Sequence, residues 1–209
     1  MTDKTNDNSL WTPRSPEETQ KIYADWAATY EEDVTALAYA TPDRVAQALM
    51  AQSPDLSTPV LDFGCGTGLS GLALRKAGFT TVDGTDISPQ MLAQARAKTY
   101  GAAPLYRQTW LGQIGQIPVQ AGDYDIIVAT GVVSLGAAPP EMLSQLLDSL
   151  ASGGLLAFSY NDPTLQDANY IRALDDSLAS GVATQLFREH GPHLSEKVTG
   201  SDVIILQKT

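Results

Sequence analysis

Cysteine is nearly absent from this sequence, whose 209 residues include only Cys65. A single thiol cannot close a disulfide within the chain, and it cannot supply the several thiolates of a structural metal site. No metal site is visible in the rest of the sequence either. We therefore expect no bound metal.

Lysine and arginine are also scarce. The chain has 13 of them against 24 aspartates and glutamates, which gives a formal net charge of −11. A protein that binds a duplex or a tRNA neutralises phosphates with a basic surface, and no cluster of basic residues is visible here. Nucleic acid is therefore disfavoured as a partner and as a substrate.

Long apolar runs are missing as well. No stretch approaches the roughly 18 apolar residues of a membrane-spanning helix. The polar start MTDKTNDNS lacks the apolar segment of a signal peptide. With 43% hydrophobic and 18% charged residues, the composition is that of one globular domain with a full core. We expect a soluble, cytoplasmic protein with no membrane partner.

The most informative stretch is 60–68, VLDFGCGTG. A short apolar run leads into an acid and three glycines at alternate positions, after which apolar residues recur at helical spacing. This pattern predicts a strand, a tight turn and a helix. Glycines let such a turn approach a ligand closely, and the first free N–H groups of the helix point at the same place. A nucleotide-like ligand is the natural occupant.

The spacing of the glycines distinguishes between nucleotides. The dinucleotide fingerprint has glycine at the first, third and sixth positions of the turn, and here Leu69 occupies the sixth. The glycines fall instead at Gly64, Gly66 and Gly68, two residues after Asp62. This Asp-x-Gly-x-Gly-x-Gly order resembles motif I of the class I S-adenosylmethionine (SAM)-dependent methyltransferases. The resemblance implies a loop that wraps the methionyl and ribose parts of SAM.

A second resemblance lies in the N-terminal region. Residues 15–18, SPEE, predict a helix start with a capping box. The segment at 23–31, YADWAATYE, is similar to the N-terminal signature of a methyltransferase-like family whose namesake is encoded in the Williams–Beuren syndrome region, and more loosely to ubiquinone-biosynthesis-type methyltransferases. The resemblance implies that an N-terminal helix closes over the cofactor, with Tyr23, Trp26 and Tyr30 as lid residues. Their helical spacing equally suits plain core packing.

An acid lies at a suitable distance for binding the ribose. Residues 80–85 predict a second strand, and Asp86 ends it, 22 residues after Gly64. The carboxyl ends of neighbouring parallel strands meet beside the glycine turn. The Asp86 carboxylate can therefore accept hydrogen bonds from both ribose hydroxyls. Ile87 is placed to pack on one face of the adenine, or it is an ordinary residue between a strand and a helix.

The third predicted strand, residues 105–111, departs from the family. Members of the superfamily usually place an acid at its end to take the adenine N6 hydrogens, and this chain has none there. We expect adenine to be held by backbone groups and by the side chains of Trp110 or Leu111, with an amide from Gln113. Thr109 belongs to the same contact region.

The ends of the fourth and fifth predicted strands supply further candidates. In class I enzymes the stretch after the fourth strand passes next to the sulfonium and the substrate, which implies that Thr130 and Gly131 contact the cofactor. Ser134 could reach the substrate, or its hydroxyl could satisfy its own backbone. Tyr160 and Asn161 lie at the carboxyl edge of the sheet and are candidates for orienting the substrate.

Histidine is limited to His190 and His193. Imidazole can accept a proton near neutral pH, so either could be a catalytic base. Both residues follow or flank the predicted sixth strand, and this position gives no argument that either lies near the cofactor. No catalytic acid–base pair is evident. None is obligatory if the methyl acceptor arrives deprotonated.

Strands alternate with helices along the chain, which predicts a Rossmann-like α/β sheet. The resemblance adds seven mostly parallel strands in the order 3-2-1-4-5-7-6, with the last strand antiparallel. We place the N-terminal tail and helical lid at residues 1–55 and the SAM-binding core at residues 56–209. The residues expected to bind the cofactor are Tyr23, Trp26, Tyr30, Asp62, Gly64, Cys65, Gly66, Asp86, Ile87, Thr109, Trp110, Leu111, Thr130 and Gly131. Those expected to orient the acceptor are Tyr30, Ser134, Tyr160 and Asn161.

The function that this resemblance implies is SAM-dependent methyl transfer to oxygen, nitrogen or sulfur of a small-molecule acceptor, with S-adenosylhomocysteine (SAH) as product. The protein is expected to be a monomer or a homodimer. It mainly has to align the reactants and exclude water. The alternatives are a SAM-binding subunit that activates a partner, and a protein methyltransferase, although the Asn-Pro-Pro-Tyr-type loop after the fourth strand is absent. NAD-dependent hydride transfer is opposed by Leu69.

Overall fold

The computed structural model describes Thr12 and residues 14–209, so the polar start of the chain lies outside the described residues. The helices are α1 (Pro16–Trp26), α2 (Tyr30–Ala36), α3 (Thr41–Ala51), α4 (Leu69–Ala77), α5 (Pro89–Ala97), α6 (Met142–Ser149), α7 (Asp162–Leu165) and α8 (Ala168–Ala179). The strands are β1 (Val60–Phe63), β2 (Val82–Asp86), β3 (Thr99–Tyr100), β4 (Ala103–Pro104), β5 (Thr109–Leu111), β6 (Tyr124–Ala129), β7 (Leu150–Asn161), β8 (Ala183–Pro192) and β9 (Gly200–Lys208).

Seven strands form one sheet in the order β5-β2-β1-β6-β7-β9-β8. The first five of these pair in parallel, and β9 is antiparallel to both of its neighbours. Numbered along the chain within this sheet, the order is 3-2-1-4-5-7-6, so the predicted topology is confirmed. The small β3–β4 hairpin was not predicted from the sequence.

Helices cover both faces of the sheet, and the strands send successive side chains to opposite faces. In β1, Val60 packs in the layer of α3, α4 and α5, whereas Leu61 packs in the layer of α6 and α8. In β9, Ile205 and Ile204 divide in the same way. Because α3 belongs to a core layer, only α1 and α2 of the predicted lid region lie apart from the sheet layers.

The N-terminal helix differs from the prediction. The capping box of Ser15 is present, but the helix ends at Trp26 and a second one begins at Tyr30. The Asp33 carboxylate holds the bend, because its Oδ2 accepts hydrogen bonds from Trp26 Nε1 at 2.6 Å and from Thr29 Oγ1 at 2.9 Å. These two hydrogen bonds join the end of α1 to the start of α2.

Several other boundaries also moved. The predicted third strand shrinks to β5, because Leu105 and Tyr106 turn inward and are buried. The sequence predicts a strand at 155–160 and a helix from about Leu165 to Leu178. The strand extends to the full length of β7, and the helix is α8, which the short helix α7 precedes. The last two strands, predicted at 185–190 and 203–207, are longer because β8 and β9 pair through their backbones over nearly their whole length.

Candidate active site at the carboxyl ends of the parallel strands

A cavity of about 260 Å³ lies where the carboxyl ends of β1, β2, β6 and β7 meet α1 and α2. Open α/β sheets bind ligands at such an edge. Residues predicted for the site that line this cavity are Tyr23, Trp26, Tyr30, Gly64, Gly66, Asp86, Ile87, Gln113, Thr130, Gly131, Ser134 and Asn161.

The glycine turn after β1 forms the floor of the cavity. Gly64, Gly66 and Gly68 all have positive φ, at 69°, 55° and 99°. The turn is tied to β2, since the N–H groups of Gly64 and Cys65 both donate to Thr85 O, at 2.8 and 2.9 Å. A side chain at Gly64 would collide with Val132, whereas a Cβ at Gly66 would meet no atom within 4 Å. The open side of the turn is therefore the side that faces the cavity.

Asp86 lies beside this turn, as predicted. Its Oδ2 accepts the Gly66 N–H at 2.9 Å, and its Oδ1 accepts the Ser88 N–H at 2.8 Å. Burial raises the pKa of Asp86, and these backbone hydrogen bonds oppose the shift. Both oxygens are thus fixed in orientation and keep lone pairs with which to accept ligand hydroxyls.

Asp62 and Cys65 do not line the cavity. Asp62 lies beneath the turn, where its Oδ2 accepts Ser70 Oγ–H at 2.6 Å and Tyr106 O–H at 2.7 Å. Burial raises the pKa of Asp62 to about 6, against the lowering effect of these two hydrogen bonds. Asp62 therefore supports the turn from below, and Cys65 is the small buried residue that fits within it.

Four aromatic residues, Tyr23, Trp26, Tyr30 and Tyr39, form what we call the aromatic cluster along the cavity wall. The Trp26 and Tyr30 rings meet edge to face at 4.7 Å, and the Tyr23 ring stacks on Trp26 at 6.1 Å. Burial raises the pKa of both Tyr30 and Tyr39. The cluster packs as a small core and also borders the cavity. Its role as part of a lid stays a prediction.

Two hydrogen bonds hold α1 across the cavity. Gln20 Nε2 donates to Ile87 O at 2.5 Å, just beyond the end of β2. Thr19 Oγ1 donates to Gly136 O at 3.0 Å, beyond the end of β6. The helix is therefore attached to both sides of the sheet edge. Nothing in the sequence pattern of Thr19 and Gln20 indicated this role.

The adenine contacts predicted in β5, Thr109, Trp110 and Leu111, do not line the cavity. Thr109 accepts a hydrogen bond from Arg96, Trp110 packs on the core layer of α6 and α8, and Leu111 is exposed. The chain reaches the cavity only in the next loop, at residues 112–116. The Gly112 N–H donates to Asp86 O at 2.9 Å and brings this loop beside the acid. Because β5 is short, the contact region moves beyond its end.

On the β6 and β7 side, Thr130, Gly131, Ser134 and Asn161 reach the cavity, but Tyr160 does not. Tyr160 is 0% exposed and packs edge to face against Phe158 and Tyr170. Strand alternation explains the error, since neighbouring residues point to opposite faces of the sheet. Asn161 Oδ1 accepts Thr164 N–H at 3.1 Å and Thr164 Oγ1–H at 2.7 Å. The amide nitrogen of Asn161 remains for a ligand.

His193 also lines the cavity, which its place in the sequence did not indicate. It lies between β8 and β9, is 7% exposed, and meets the Tyr39 ring edge to face at 5.1 Å. Its Nδ1 lies 2.7 Å from Thr41 Oγ1. The antiparallel last strand brings this turn back to the carboxyl edge of the parallel strands. In contrast, His190 pairs with Asp202 on the mostly exposed strand β8.

Comparison with known proteins identifies the family. Residues 60–154 match a family described as a methyltransferase domain. Human methyltransferase-like protein 27 is 35% identical over 173 residues, which cover 78% of this chain and 67% of that protein. The chain belongs to the methyltransferase-like protein 27 family. Within this family of class I SAM-dependent methyltransferases, SAM is the cofactor of the chain and SAH its product.

Two further matches extend this comparison. A ribosomal protein L11 methyltransferase from Paraburkholderia phymatum is 30% identical over 117 residues, 56% of this chain and 36% of that protein. The chain therefore spans about a third of the length of that relative. The SAM-bound structure of magnesium protoporphyrin IX methyltransferase from Synechocystis PCC 6803 has a TM-score of 0.66 at 19% identity, covering 91% of this chain and 97% of the other. This likeness confirms the class I methyltransferase fold.

The site fits SAM. Gly66 offers backbone with open space above it, Asp86 offers two oriented carboxylate oxygens, and the buried Thr130 Oγ1 has no hydrogen-bond partner among the described residues. Within the same part of the chain, no group of three or more His, Cys, Asp or Glu could hold a metal ion. No helix of the described residues is long and apolar enough to span a bilayer.

Proposed function

We propose that this methyltransferase-like protein 27 relative methylates a small molecule that binds inside the cavity beneath α1 and α2, which act as a lid. The observation that carries the proposal is the pair of hydrogen bonds from Gln20 and Thr19, which hold α1 to both sides of the sheet edge. A ligand of the cavity lies below this helix. That arrangement favours a molecule small enough to be enclosed over an extended polypeptide.

Different residues along the sheet edge would bind different parts of SAM. Asp86 and the loop at 112–116 would hold the adenosine part of SAM, and the turn at Gly66 would face its methionyl part. SAM supplies an electrophilic methyl group on a sulfonium. The aromatic cluster excludes water, and alignment of the acceptor then accounts for most of what the protein contributes.

The first test is calorimetric titration with SAM, SAH and NADH in separate runs. We expect micromolar binding of SAM and SAH and none of NADH. A transfer assay with methyl-labelled SAM then compares a panel of small acids, phenols, amines and thiols with a protein extract. Labelling of protein but of no small molecule would contradict the proposal.

Asp86→Ala tests the cofactor site itself. The substitution removes the acceptors for the ribose hydroxyls, and we expect a loss of about 2–4 kcal/mol in SAM and SAH affinity by calorimetry. Asp125→Ala, on an exposed position of β6, is the matched control and should bind SAM as the parent does. Unchanged affinity in Asp86→Ala would place the ribose elsewhere.

A protein acceptor is the second candidate, because a ribosomal protein L11 methyltransferase matches 56% of this chain. It requires that α1 leave the cavity when the polypeptide binds. Labelling of a protein only in variants that weaken the α1 contacts would favour this candidate.

A further inference from the structure

The cavity has a second end, away from Asp86, which we call the acceptor corner and define by Tyr39, Asn161 and His193. Asp86 follows β2, whereas Asn161 ends β7 and His193 precedes β9. The sheet order β2-β1-β6-β7-β9 separates β2 from β9 by four strand spacings, or about 19 Å. The hydroxyl of Tyr39 lies close to Gly131, at the end of β6. A ligand in this corner therefore lies beyond the space for the cofactor.

The ring of His193 is held firmly in this corner. Its backbone N–H donates to Thr199 O at 2.8 Å, and its carbonyl accepts the Ala40 N–H at 2.9 Å. The ring is packed on Tyr39, and Nδ1 lies 2.7 Å from Thr41 Oγ1. Since Nδ1 is occupied, Nε2 is the ring nitrogen that remains for a ligand.

A chain of hydrogen bonds favours one position for the ring proton. It begins at Arg44, whose guanidinium can only donate, and Arg44 Nη1 donates to Ser201 Oγ at 3.1 Å. Ser201 is fully buried, and its Oγ lies 3.1 Å from Thr41 Oγ1, a distance at which either hydroxyl can donate. When Ser201 donates to Thr41 and Thr41 donates to His193 Nδ1, both hydroxyl protons have an acceptor, whereas in the reverse order the buried Ser201 proton has none within this chain of hydrogen bonds. The order that satisfies both hydroxyls leaves the proton of His193 on Nε2.

We infer that His193 presents its Nε2–H to the acceptor corner as a hydrogen-bond donor, and that the corner takes an oxyanion, a carboxylate or a phenolate, as the methyl acceptor. This inference rests on the proposed function. The Asn161 amide nitrogen and the Tyr39 hydroxyl supply further donors in the same corner. A carboxylate oxygen can accept from such donors and still use another lone pair to attack. An amine nitrogen has one lone pair and cannot do both.

Proton accounting supports the same class of acceptor. Burial lowers the pKa of His193 to about 4, with Asp162 on α7 raising it and Arg44 on α3 lowering it, so the ring is neutral at pH 7. Among the described residues that line the cavity, the one acidic side chain is Asp86, at the far end, and none is lysine or arginine. With Nε2 protonated, nothing in the corner can take a proton from a neutral alcohol. An oxyanion needs no such group. The oxygen of the acceptor forms a bond to the methyl carbon of SAM while the carbon–sulfur bond breaks, and the electron pair of the broken bond stays on sulfur.

Nitrogen-15 NMR of the two histidines tests the proton position directly. Ring nitrogens with and without a proton have well-separated shifts, and His190→Gln assigns the signals because it leaves His193 alone. We expect His193 to carry its proton on Nε2 at pH 7 and to gain Nδ1–H population in Thr41→Val, which removes the donor. A proton on Nδ1 in the parent protein would overturn the inference while leaving the proposed function intact.

Binding to the SAH-saturated protein tests the acceptor class. The probes are benzoate, 4-nitrophenolate, benzyl alcohol and aniline, an amine that is neutral at pH 7. We expect the two oxyanions to bind at least about tenfold more tightly than the alcohol and the amine, given the strength of hydrogen bonds to charged groups. Equal or tighter binding of aniline or benzyl alcohol, or no binding of either oxyanion, would overturn the inference. Failure of SAH to bind would instead overturn the proposed function.

Two variants of His193 distinguish the effect of its N–H donor on binding from the effect of its ring. His193→Gln places an amide N–H near the position of Nε2, whereas His193→Phe keeps the ring and loses the donor. Benzoate affinity should fall about tenfold or more in His193→Phe and less in His193→Gln. SAH affinity should be unchanged in both, which also shows that they fold. The exposed His190→Gln is the matched control, and equal benzoate affinity in all of them would contradict the inference.

Discussion

Glycine has two separate uses in the turn after β1. At Gly64 the positive φ is combined with close contact to Val132, so a side chain has neither the conformation nor the room. At Gly66 the φ is similar, but the space above it is open cavity. Gly101, in the β3–β4 hairpin, has a φ of 63° and equally open space but does not line the cavity. Gly66 and Gly101 therefore have similar backbone conformations and similar free space, and they differ in that Gly66 borders the cavity.

Gly66→Ala and Gly101→Ala form a matched pair. Both place a Cβ at positive φ, so each should cost about 1 kcal/mol in the free energy of unfolding, measured by urea denaturation. Only Gly66→Ala should lose SAH affinity in calorimetry, because its methyl group occupies the ligand's side of the turn. Equal SAH affinity in the two variants would show that SAM does not approach Gly66.

Asp62 is a buried acid whose protonation is linked to folding. Its pKa in the folded protein, about 6, lies above the ordinary value of 3.8. The folded state therefore holds the proton more strongly than the unfolded state between these pH values, and stability falls as pH rises through that window. The stabilisation is fully present below about pH 4 and lost above about pH 6.

Asp62→Asn removes this dependence, since an amide does not titrate. Relative to the variant, the parent should lose about 2 kcal/mol of unfolding free energy between pH 4 and pH 7. Urea denaturation at several pH values measures the difference, and the exposed Asp125→Asn serves as control. A difference between Asp62→Asn and the parent that stays constant over this range would mean that Asp62 is ionised throughout.

Helix α1 has only two buried side chains, Thr19 and Trp26. Besides the packing of the aromatic cluster, the hydrogen bonds of Gln20 and Thr19 attach α1 across the cavity, and the ion pair of Lys98 with Glu31, at 2.6 Å, attaches the start of α2 to the end of α5. An element with so little buried apolar surface opens at low free-energy cost. A ligand that bridges it to the sheet edge should raise that cost.

Hydrogen exchange of α1 measures this effect. We expect SAH to slow exchange across residues 16–26, and Gln20→Ala to reduce the protection while raising the SAH dissociation rate a few-fold, since it removes one neutral hydrogen bond. Gln94→Ala, on the exposed face of α5, is the control. Protection by SAH confined to the glycine turn, with α1 unaffected, would contradict the role of α1 as a lid.

The elements that sequence could predict are those with a strong local signal. The turn at Gly64 and Gly66 and the acid at Asp86 follow from spacing alone, and they lie where expected. The contacts that were missed depend on distant parts of the chain. His193 reaches the cavity only because β9 is antiparallel. Residues 112–116, of which only Gln113 was predicted, reach it because β5 is short. The prediction that Tyr160 orients the acceptor did not account for strand alternation, because residues one position apart on a strand point to opposite faces of the sheet.

At the scale of the whole molecule, the formal net charge of −11 creates a negative electrostatic potential through which every ligand approaches. SAM carries a net charge of +1 near neutral pH, with its sulfonium and ammonium set against one carboxylate, whereas SAH is neutral overall. A protein of strong negative charge accelerates the approach of a cation, and salt screens this effect over a Debye length of about 10 Å at 0.1 M. Because SAM and SAH share almost every atom, their association rates should differ mainly through this electrostatic attraction.

Stopped-flow measurement of the two association rates tests this steering. We expect SAM to associate faster than SAH at low ionic strength, with its rate falling as salt is added, while the rate for SAH changes little. The two rates should converge near 1 M salt, where the Debye length is about 3 Å. The proposed oxyanion acceptor should show the opposite slope, because the same field repels it. Parallel salt dependence for SAM and SAH would mean that the acidic residues lie too far from the cavity entrance to act on a ligand.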